Sequence, residues 1–266
     1  MRAYLYAAAL ALSVAPAAHA TQFVVNGGFE STLLAQSSEF GDRYASQQVT
    51  GWSTSGYNWI FRPGEADTVG GNGEFGFLKL HGPGTGTANG LTASPFGGNY
   101  VAADGAFATA AITQQLSGLT PGAQYAVTFA YAGAQQNGFN GATTEGWVVD
   151  LGTSVPTDGQ RRSNTLSATA QITGGNIGGN LANADHGFTG WQTQTFVFTA
   201  QTANDILSFL AIGTPDGLPP FTLLDGVTTT EYVAAVPEPA TWALMIGGFV
   251  MVGFATRRRR AAAVAA

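Results

Sequence analysis

Short apolar runs with a two-residue period recur between residues 21 and 236, and Gly, Pro and Asn residues separate them. In Tyr125–Tyr131 the odd positions are Tyr, Val, Phe and Tyr, so one face of an extended strand would be apolar. Such alternation predicts β-strands, because successive side chains of a strand point to opposite faces. The predicted strands are Phe23–Val25, Trp59–Phe61, Phe75–Leu80, Tyr100–Ala103, Ala111–Leu116, Tyr125–Tyr131, Trp147–Leu151, Gln192–Phe198, Ile206–Ile212 and Thr222–Tyr232.

Turn signals between these strands favour an all-β fold. The run Leu-Thr-Pro-Gly at 119–122 is typical of a turn, since Pro presets φ and Gly accepts a positive φ. No stretch outside the two ends shows a sustained 3.6-residue apolar period. Many short strands with turns between them predict an antiparallel β-sandwich, most simply a jelly roll. Gly-rich spans at Gly70–Gly76, Gly82–Gly90 and Gly174–Gly179 are expected to be loops, which either carry a binding site or are flexible connections.

The first 20 residues are typical of a secretory signal peptide. Arg2 supplies the positive start, Tyr4–Val14 the apolar stretch, and the run Ala-His-Ala at 18–20 the cleavage site. Cleavage there would leave Thr21 as the first mature residue. The alternative is an ordinary buried helix, which the Ala-rich end disfavours. A signal peptide implies the Sec translocon and a signal peptidase as partners.

The C-terminal segment has the features of a membrane anchor. Ala240–Thr256 is a span of 17 residues without charge, which barely crosses a bilayer core at about 1.5 Å per residue. The next four residues are Arg257, Arg258, Arg259 and Arg260. By the positive-inside rule they would remain in the cytoplasm, with the preceding domain outside the inner membrane. This pattern predicts a transmembrane helix, and a plain anchor that is never cut is one interpretation of it.

A more specific interpretation comes from the residues before the span. Pro237, Glu238 and Pro239 would form an exposed, extended hinge, because proline ends any entering helix. Together with Trp242 and the arginine cluster, they closely resemble the PEP-CTERM sorting signal in its Trp-Ala variant. The resemblance implies that an exosortase processes the tail. The protein would then lie at the cell surface or outside the cell of a Gram-negative bacterium that makes exopolysaccharide. It assigns 236–260 to the sorting signal, 261–266 to a short tail and 21–235 to the ectodomain.

The composition limits the partners of this ectodomain. Cysteine is absent, so an exported domain must be stabilised by its core or by a metal, not by disulfides. Of the ten basic residues, five lie in the terminal segments, whereas Glu238 is the one acidic residue of the sixteen outside 21–235. The ectodomain therefore carries a formal net charge of about −10. Such a charge argues against nucleic acid and anionic lipid, and it permits contacts with cations and neutral glycans.

A second resemblance covers most of the ectodomain. Val25–Glu30, then Gly51-Trp52, and finally the Asp-Gly pair in Leu223–Val227 resemble galactose-binding-like jelly rolls, a group that includes many carbohydrate-binding modules. The resemblance implies that the first and last strands lie close together. It also implies that Glu30 and Asp225 help to hold a structural calcium ion, which backbone carbonyls would complete. The alternative is that both carboxylates cap turns.

Aromatic side chains are the expected sugar contacts, because their faces stack on the apolar C–H faces of sugar rings. The candidates are Trp52, Tyr57, Trp59, Trp147 and Trp191, and the last four are predicted as ligand contacts. Tyr57 and Trp59 follow a Ser/Thr/Gly-rich loop and are the best placed, although most of these rings could equally belong to the core. The polar run at 135–137, with Glu145 and Trp147, could line a cleft or form a solvated hairpin tip.

Catalytic motifs are absent from the sequence. Only His81 and His186 remain after removal of a signal peptide, and there is no G-x-S-x-G or H-E-x-x-H motif. His186 is interpreted as a loop residue. The sequence therefore predicts a non-enzymatic, exported surface or matrix protein that binds exopolysaccharide. A polysaccharide hydrolase or lyase on the same fold, which would need two facing carboxylates, and a ligand-free structural surface protein are the alternatives.

Overall fold

The computed structural model describes residues 21–41, 48–155, 181–233 and 244–253. Twelve β-strands within these ranges form two sheets, which confirms the all-β prediction. The strands are β1 Ser38–Phe40, β2 Asn58–Phe61, β3 Gly71–Gly73, β4 Gly76–Leu78, β5 Tyr100–Asp104, β6 Ile112–Gln115, β7 Gln124–Gln135, β8 Thr143–Gly152, β9 Leu181–Asn183, β10 Gln192–Thr199, β11 Ile206–Thr214 and β12 Pro220–Glu231.

The topology is that of a jelly roll. The large sheet has the order β10-β7-β12-β5-β2-β1-β3-β4, and the small sheet has the order β6-β11-β8-β9. From β5 to β12 the chain passes between the two sheets in the jelly-roll order, with β8 and β9 together in the small sheet, while β1 to β4 extend the large sheet beyond β5. These pairings are antiparallel, except for a parallel bridge from β1 to β3. The predicted sandwich is thus confirmed, with an added four-stranded extension.

An aromatic core lies between the two sheets, and we call it the intersheet core. Phe209 of β11 is its centre, with ring centroids 5.1 Å from Phe129, 6.0 Å from Trp147 and 6.2 Å from Trp52. All four rings are buried. The alternation predicted for β7 holds here, since Tyr125, Val127 and Phe129 are all buried in this core.

A second core covers the opposite face of the large sheet. Phe221 and Leu223 of β12 belong to it, whereas Leu224 of the same strand belongs to the intersheet core. Trp59 and Phe61 of β2 also belong to the second core. The chain between β2 and β5 covers it with three buried side chains, Ala66, Leu78 and Leu80. The large sheet is therefore buried on both faces in this half, which leaves its strand ends as the place for a site.

Three sequence predictions about strands need correction. Phe75–Leu80 is not one strand, because β3 and β4 form a hairpin whose turn contains Phe75 and whose Gly76 has a φ of 110°. Phe23–Val25 is not a regular strand, although the Phe23 amide donates to the Thr229 carbonyl. The short strands β1, β3 and β9 were not predicted, because three residues are too few to show a period, and β3 lies in the span Gly70–Gly76 that was expected to be a loop.

The chain divides into two compact units, Met1–Tyr232 and Val233–Ala266. In the second unit, residues 244–253 form an α-helix inside the predicted membrane span. Within the described ranges, no helix combines the length and the apolar character needed to span a bilayer. Several predicted features lie outside the described residues: the signal peptide at 1–20, Gly174–Gly179, the tail at 261–266 and the sorting residues Pro237, Glu238, Pro239, Trp242, Arg257, Arg258, Arg259 and Arg260.

Candidate functional site

A cavity of about 290 Å³ opens at one end of the large sheet, and we call it the aromatic pocket. Residues at or next to the ends of β2, β5, β7 and β12 and the turn between β3 and β4 surround it. Loops at one end of a sandwich are a common location for binding sites. The lining residues are Tyr57, Phe75, Asp104, Ala106, Phe107, Gln136, Phe139, Asp216, Gly217 and Pro219.

Three aromatic rings form a corner of this pocket. The ring centroids of Tyr57 and Phe75 are 5.6 Å apart, those of Tyr57 and Phe107 are 5.7 Å apart, and those of Phe75 and Phe107 are 5.0 Å apart. The interplanar angles are 66°, 85° and 81°. Phe75 is 55% exposed and Phe107 is 44% exposed, whereas Tyr57 is buried beneath them. Exposed apolar rings of this kind can stack on a sugar ring.

Backbone hydrogen bonds hold these rings in place. The Asp104 Oδ1 atom accepts bonds from the amides of Ala106 (2.8 Å) and Phe107 (3.0 Å), which fixes the loop after β5. The Tyr57 amide donates to the Ala108 carbonyl at 2.9 Å and so ties the start of β2 to that loop. Phe75 reaches the pocket because the tight turn between β3 and β4 turns it away from both strands.

The remaining wall is polar and acidic. Gln136 and Phe139 come from the connection between β7 and β8, and Asp216 comes from the turn between β11 and β12. Asp104 and Asp216 are the two carboxylates of the lining, and none of the ten lining residues is basic. The pocket therefore combines apolar ring faces with negative charge.

Two stacked histidines lie behind the Phe139 wall. The rings of His81 and His186 have centroids 4.0 Å apart and an interplanar angle of 26°. The His81 Nε2–H donates to the Phe139 carbonyl at 3.0 Å, and His186 Nε2 is 2.6 Å from Asn140 Oδ1. Burial lowers the pKa of His81 below its usual 6.5, and the nearby His186 lowers it further, against the opposing effects of the Phe139 bond and Asp185. The histidines thus hold the backbone next to the pocket.

Glu30 and Asp225, the predicted calcium ligands, do converge. Both carboxylates border the space above Gly28, which has no side chain. A methyl group on the Gly28 Cα atom would lie 3.9 Å from Glu30 Oε1 and 3.8 Å from Asp225 Oδ1. Asp225 is fully buried, next to a bulge in β12 at Gly226, whose φ is 60°. Burial raises its pKa to about 7, and repulsion from Glu30 adds to this shift, against hydrogen bonds from Ser94 and Gly226.

This carboxylate pair fits an oxygen-coordinated cation, because a divalent ion would relieve the repulsion between the two groups. The Glu30 Oε1 atom also accepts a 2.9 Å bond from the Asn99 amide, so the capping role considered from the sequence is present as well. Within the described residues, no group of three or more His, Cys, Asp or Glu side chains could hold a metal. Backbone carbonyls would have to supply the remaining ligands.

The polar run at 135–137 does not line one cleft with Glu145 and Trp147. Gln136 lies in the pocket wall. Gln135 is buried instead, and its side-chain amide donates to the Gly141 carbonyl and accepts from the His186 backbone N–H. Glu145 is fully buried, and its Oε1 atom accepts bonds from Thr143 and Asn183. Burial raises the pKa of Glu145 from 4.5 to about 7, against those two bonds. Glu145 is therefore a buried polar group beside the core, not a surface carboxylate.

The predicted sugar contacts separate into three classes. Tyr57 lines the aromatic pocket. Trp59 and Trp147 are fully buried, and the Trp147 indole N–H donates to the Leu223 carbonyl at 3.0 Å, so both belong to the cores and not to a ligand surface. Trp191 is partly buried, packs edge-on against Tyr100 at 5.5 Å and donates to the Thr92 carbonyl, away from the pocket lining.

Sequence reasoning missed most of the pocket. Phe75 and Phe107 were not considered as ligand contacts, although each lies within two residues of a glycine, and an aromatic residue close to glycine in a turn is the available signal for an exposed ring. Phe139 shows the same signal in its Asn- and Gly-rich run. Asp216 carries no such signal, because any turn at that position favours Asp.

Comparison with known sequences finds one match. Residues 235–260 match the PEP-CTERM protein-sorting motif, which confirms the resemblance of the C-terminal segment. This motif marks exported proteins and implies processing by an exosortase. A search of the curated proteins gives no significant match.

Solved structures with a distant likeness to this chain include the following three. The first is the enzymatically active domain of bacteriophage CBA120 tailspike protein 4: the match covers 79% of this chain and 21% of that domain, at 10% identity and a TM-score of 0.32. The second is a CBM4 structure: the match covers 78% of this chain and 99% of that structure, at 15% identity and a TM-score of 0.32. The third is the K2 cleaved adhesin domain of Lys-gingipain: the match covers 74% of this chain and 97% of that domain, at 15% identity and a TM-score of 0.34. These distant likenesses assign neither a ligand nor an activity to this chain.

Proposed function

We propose that this is an exported, non-enzymatic surface or extracellular-matrix protein whose jelly-roll domain binds exopolysaccharide at the aromatic pocket. The exposed rings of Phe75 and Phe107 beside Tyr57 support this proposal most directly. Adjacent exposed apolar rings often mark a ligand surface, and a sugar offers both an apolar face and hydroxyl groups. Gln136 and the exposed Asp216 provide polar partners for those hydroxyls, while Asp104 is buried next to them.

The sorting motif supports the export part of the proposal. The chain would cross the inner membrane through the Sec translocon, lose residues 1–20 to signal peptidase and remain anchored by its C-terminal helix until an exosortase acts. Replacement of Pro237 and Pro239 by Ala should leave the tail uncut, because the extended hinge that a processing enzyme grips would be lost. Unprocessed wild-type chain in the cytosol of a Gram-negative host with an exosortase would contradict the proposal.

The chain contains a matched pair of variants for the binding test. Phe75 and Phe77 are both 55% exposed and lie two residues apart, but only Phe75 lines the pocket. Phe75→Ala should weaken retention on polysaccharide by about tenfold, which corresponds to about 1.4 kcal/mol of stacking energy. Phe77→Ala should leave retention unchanged. Equal effects of the two changes would remove the pocket from the proposal, and no retention of the wild type on any glycan would leave a ligand-free structural protein.

A hydrolase or lyase remains the second candidate, because two carboxylates, Asp104 and Asp216, line the same pocket. Incubation of the protein with candidate polysaccharides, followed by measurement of new reducing or unsaturated ends, separates the two functions. Product formation that is lost in Asp216→Asn would favour the enzyme. Binding without product, in wild type and variant alike, supports the non-enzymatic protein.

We also propose that Glu30 and Asp225 hold a structural calcium ion that stabilises the domain. The ion would neutralise two close carboxylates and so join the N-terminal segment to the last strand. Calcium at a hundredfold excess over its Kd should add about 2.7 kcal/mol to the free energy of unfolding. Asp225→Asn should remove this gain, whereas Asp216→Asn should keep it. Identical melting curves in calcium and in a chelator would refute the calcium proposal.

A further inference from the structure

The charge around the aromatic pocket has one sign. Asp104 and Asp216 line it, and no Lys, Arg or His does. Among residues 21–41, 48–155 and 181–233, the Lys and Arg side chains are Arg62 and Lys79, and both contact other groups. Arg62 Nη1 donates to the Ala35 carbonyl at 2.7 Å, and Lys79 Nζ lies 5.7 Å from the centre of the Phe77 ring. An anionic sugar would therefore meet repulsion at this pocket, and none of the described lining residues would offer a compensating cation.

The arrangement of the rings adds a second preference. Tyr57, Phe75 and Phe107 meet at interplanar angles of 66°, 85° and 81°, so the ring faces point in three different directions around one corner. Aromatic faces carry negative partial charge and attract a cation within about 6 Å of the ring centre. Three rings in a corner are the usual frame of an aromatic cage for ammonium groups. The rings and the carboxylates therefore favour the same kind of ligand atom.

The size of the pocket limits what such a ligand can be. At about 290 Å³, it lies at the small end of ligand sites, which span roughly 300–1,000 Å³. A single sugar unit fits this volume better than a long stretch of chain. The neighbouring polar atoms of Gln136 suit the hydroxyl groups of that unit.

From this combination, we infer that the aromatic pocket selects a sugar unit that carries a protonated amine over its N-acetylated or uronic acid counterpart. The inference rests on the proposed glycan function and names the ligand class of that site. The ammonium group and the sugar ring would share the exposed faces of Phe75 and Phe107, above the buried Tyr57, with Asp216 as the exposed counter-charge.

Three oligosaccharides of equal length test the inference on the full-length protein in detergent: oligomers of glucosamine, of N-acetylglucosamine and of galacturonate. Titration calorimetry near pH 6 should give a Kd for the glucosamine oligomer about tenfold below that for the N-acetylated one, with no measurable binding of galacturonate. The preference should shrink in about 1 M NaCl, because salt screens the exposed Asp216. Choline serves as a fourth probe for a site that binds any organic cation.

Two isosteric changes separate the pocket from the overall charge. Asp216→Asn removes the exposed carboxylate of the pocket, and Glu231→Gln removes an exposed carboxylate outside the lining. The ratio of amine to N-acetyl affinity should fall by about fivefold in Asp216→Asn and should persist in Glu231→Gln.

Several outcomes would overturn the inference. Equal affinities for the three oligomers, or tighter galacturonate binding, would refute the amine preference and leave the glycan function intact. If choline binds and none of the oligosaccharides does, the ligand class of the pocket would be a small organic cation instead of a sugar. Equal effects of Asp216→Asn and Glu231→Gln would attribute the preference to net charge. No binding of any oligomer would refute the glycan function as well.

Discussion

Two groups of aromatic rings in this protein share their geometry and differ in their surroundings. In the intersheet core, Phe129 and Trp147 meet Phe209 at interplanar angles of 82° and 87°. In the aromatic pocket, Phe75 and Phe107 meet at 81°. The first group is fully buried, whereas the pocket phenylalanines are about half exposed. Ring-to-ring geometry therefore does not distinguish a structural aromatic cluster from a ligand surface, and only the position relative to the sheets does.

The same contrast holds for the acidic residues. Glu145 is buried beside the intersheet core, where its Oε2 atom has no partner among the described residues. Asp216 is exposed in a turn at the pocket. Burial makes the charged form of Glu145 costly, whereas Asp216 remains in contact with solvent. Changes in the core should thus alter stability, and changes in the pocket should alter binding.

The largest effect is expected from Trp147→Ala. The variant should lose about 3–5 kcal/mol of unfolding free energy, because it leaves a cavity between the sheets and removes the bond to the Leu223 carbonyl. Chemical denaturation measures this loss. Polysaccharide affinity of the fraction that remains folded should match that of the wild type. A loss below about 1 kcal/mol would contradict the assignment of Trp147 to a close-packed core.

Glu145→Gln should give the next largest effect, and its sign should depend on pH. The pKa of Glu145 is raised from 4.5 to about 7 in the folded state, so its contribution to stability is present below pH 4.5 and lost as the pH rises through 7. A shift of this size corresponds to about 3 kcal/mol. The neutral Gln does not incur this loss, so the variant should become more stable relative to the wild type between pH 5 and pH 8.

Urea unfolding at those two pH values measures the difference. Asp216→Asn is the control, because this exposed carboxylate should change stability equally little at both values. A stability difference between Glu145→Gln and wild type that stays constant from pH 5 to pH 8 would show that the Glu145 carboxyl is not the titrating group.

Sequence reasoning recovered one side of this comparison better than the other. The intersheet core follows from alternation within single strands, as in Tyr125–Tyr131, and the jelly roll follows from the order of such strands. The pocket was not predictable in this way. Its rings at 57, 75, 107 and 139 come from four separate loops, which only long-range strand pairing brings together. Tyr57 and Trp59 were predicted together because both follow a Ser/Thr/Gly-rich loop, and local pattern alone could not tell that Tyr57 is a pocket residue and Trp59 a core residue.

The carboxylates show the same limit. The convergence of Glu30 and Asp225 was anticipated from a family resemblance, since the two positions are almost two hundred residues apart and no local pattern links them. The stacking of His81 on His186 was not anticipated, because a histidine between Asp and Gly is a common loop residue.

On the pocket side, Phe107→Ala should weaken polysaccharide binding by about five- to tenfold, because one face of the ring corner is lost. Its effect on unfolding free energy should stay below about 1 kcal/mol, since the ring is 44% exposed. Binding assays and thermal melts on the same preparation compare the two quantities. The reverse result, a large loss of stability with unchanged binding, would place Phe107 with the intersheet aromatics.

The smallest effect is expected from His81→Gln. The pKa of His81 is lowered in the folded state, so the unfolded chain takes up the proton first and wild-type stability falls as the pH decreases through 6.5. Gln does not titrate and can still donate to the Phe139 carbonyl, so the variant should lose less stability than the wild type between pH 7.5 and pH 5. The raised pKa values of Glu145 and Asp225 make stability increase as the pH falls over this range. Both groups titrate equally in the wild type and the variant, so their effect cancels in the stability difference.

His81 should also affect the pocket, because its bond holds the carbonyl of the lining residue Phe139. Protonation brings a positive charge next to His186 and turns Nδ1 from an acceptor of the Asn137 amide bond (3.3 Å) into a donor to Thr87 Oγ1 (3.2 Å), so the Asn137 bond is lost. The wall should therefore loosen in acid. Affinity for an N-acetylated oligomer, whose own charge does not change, should fall from pH 7.5 to pH 5 in the wild type and less in His81→Gln. An identical fall in both proteins would mean that the histidine pair only stabilises the fold and does not control the pocket wall.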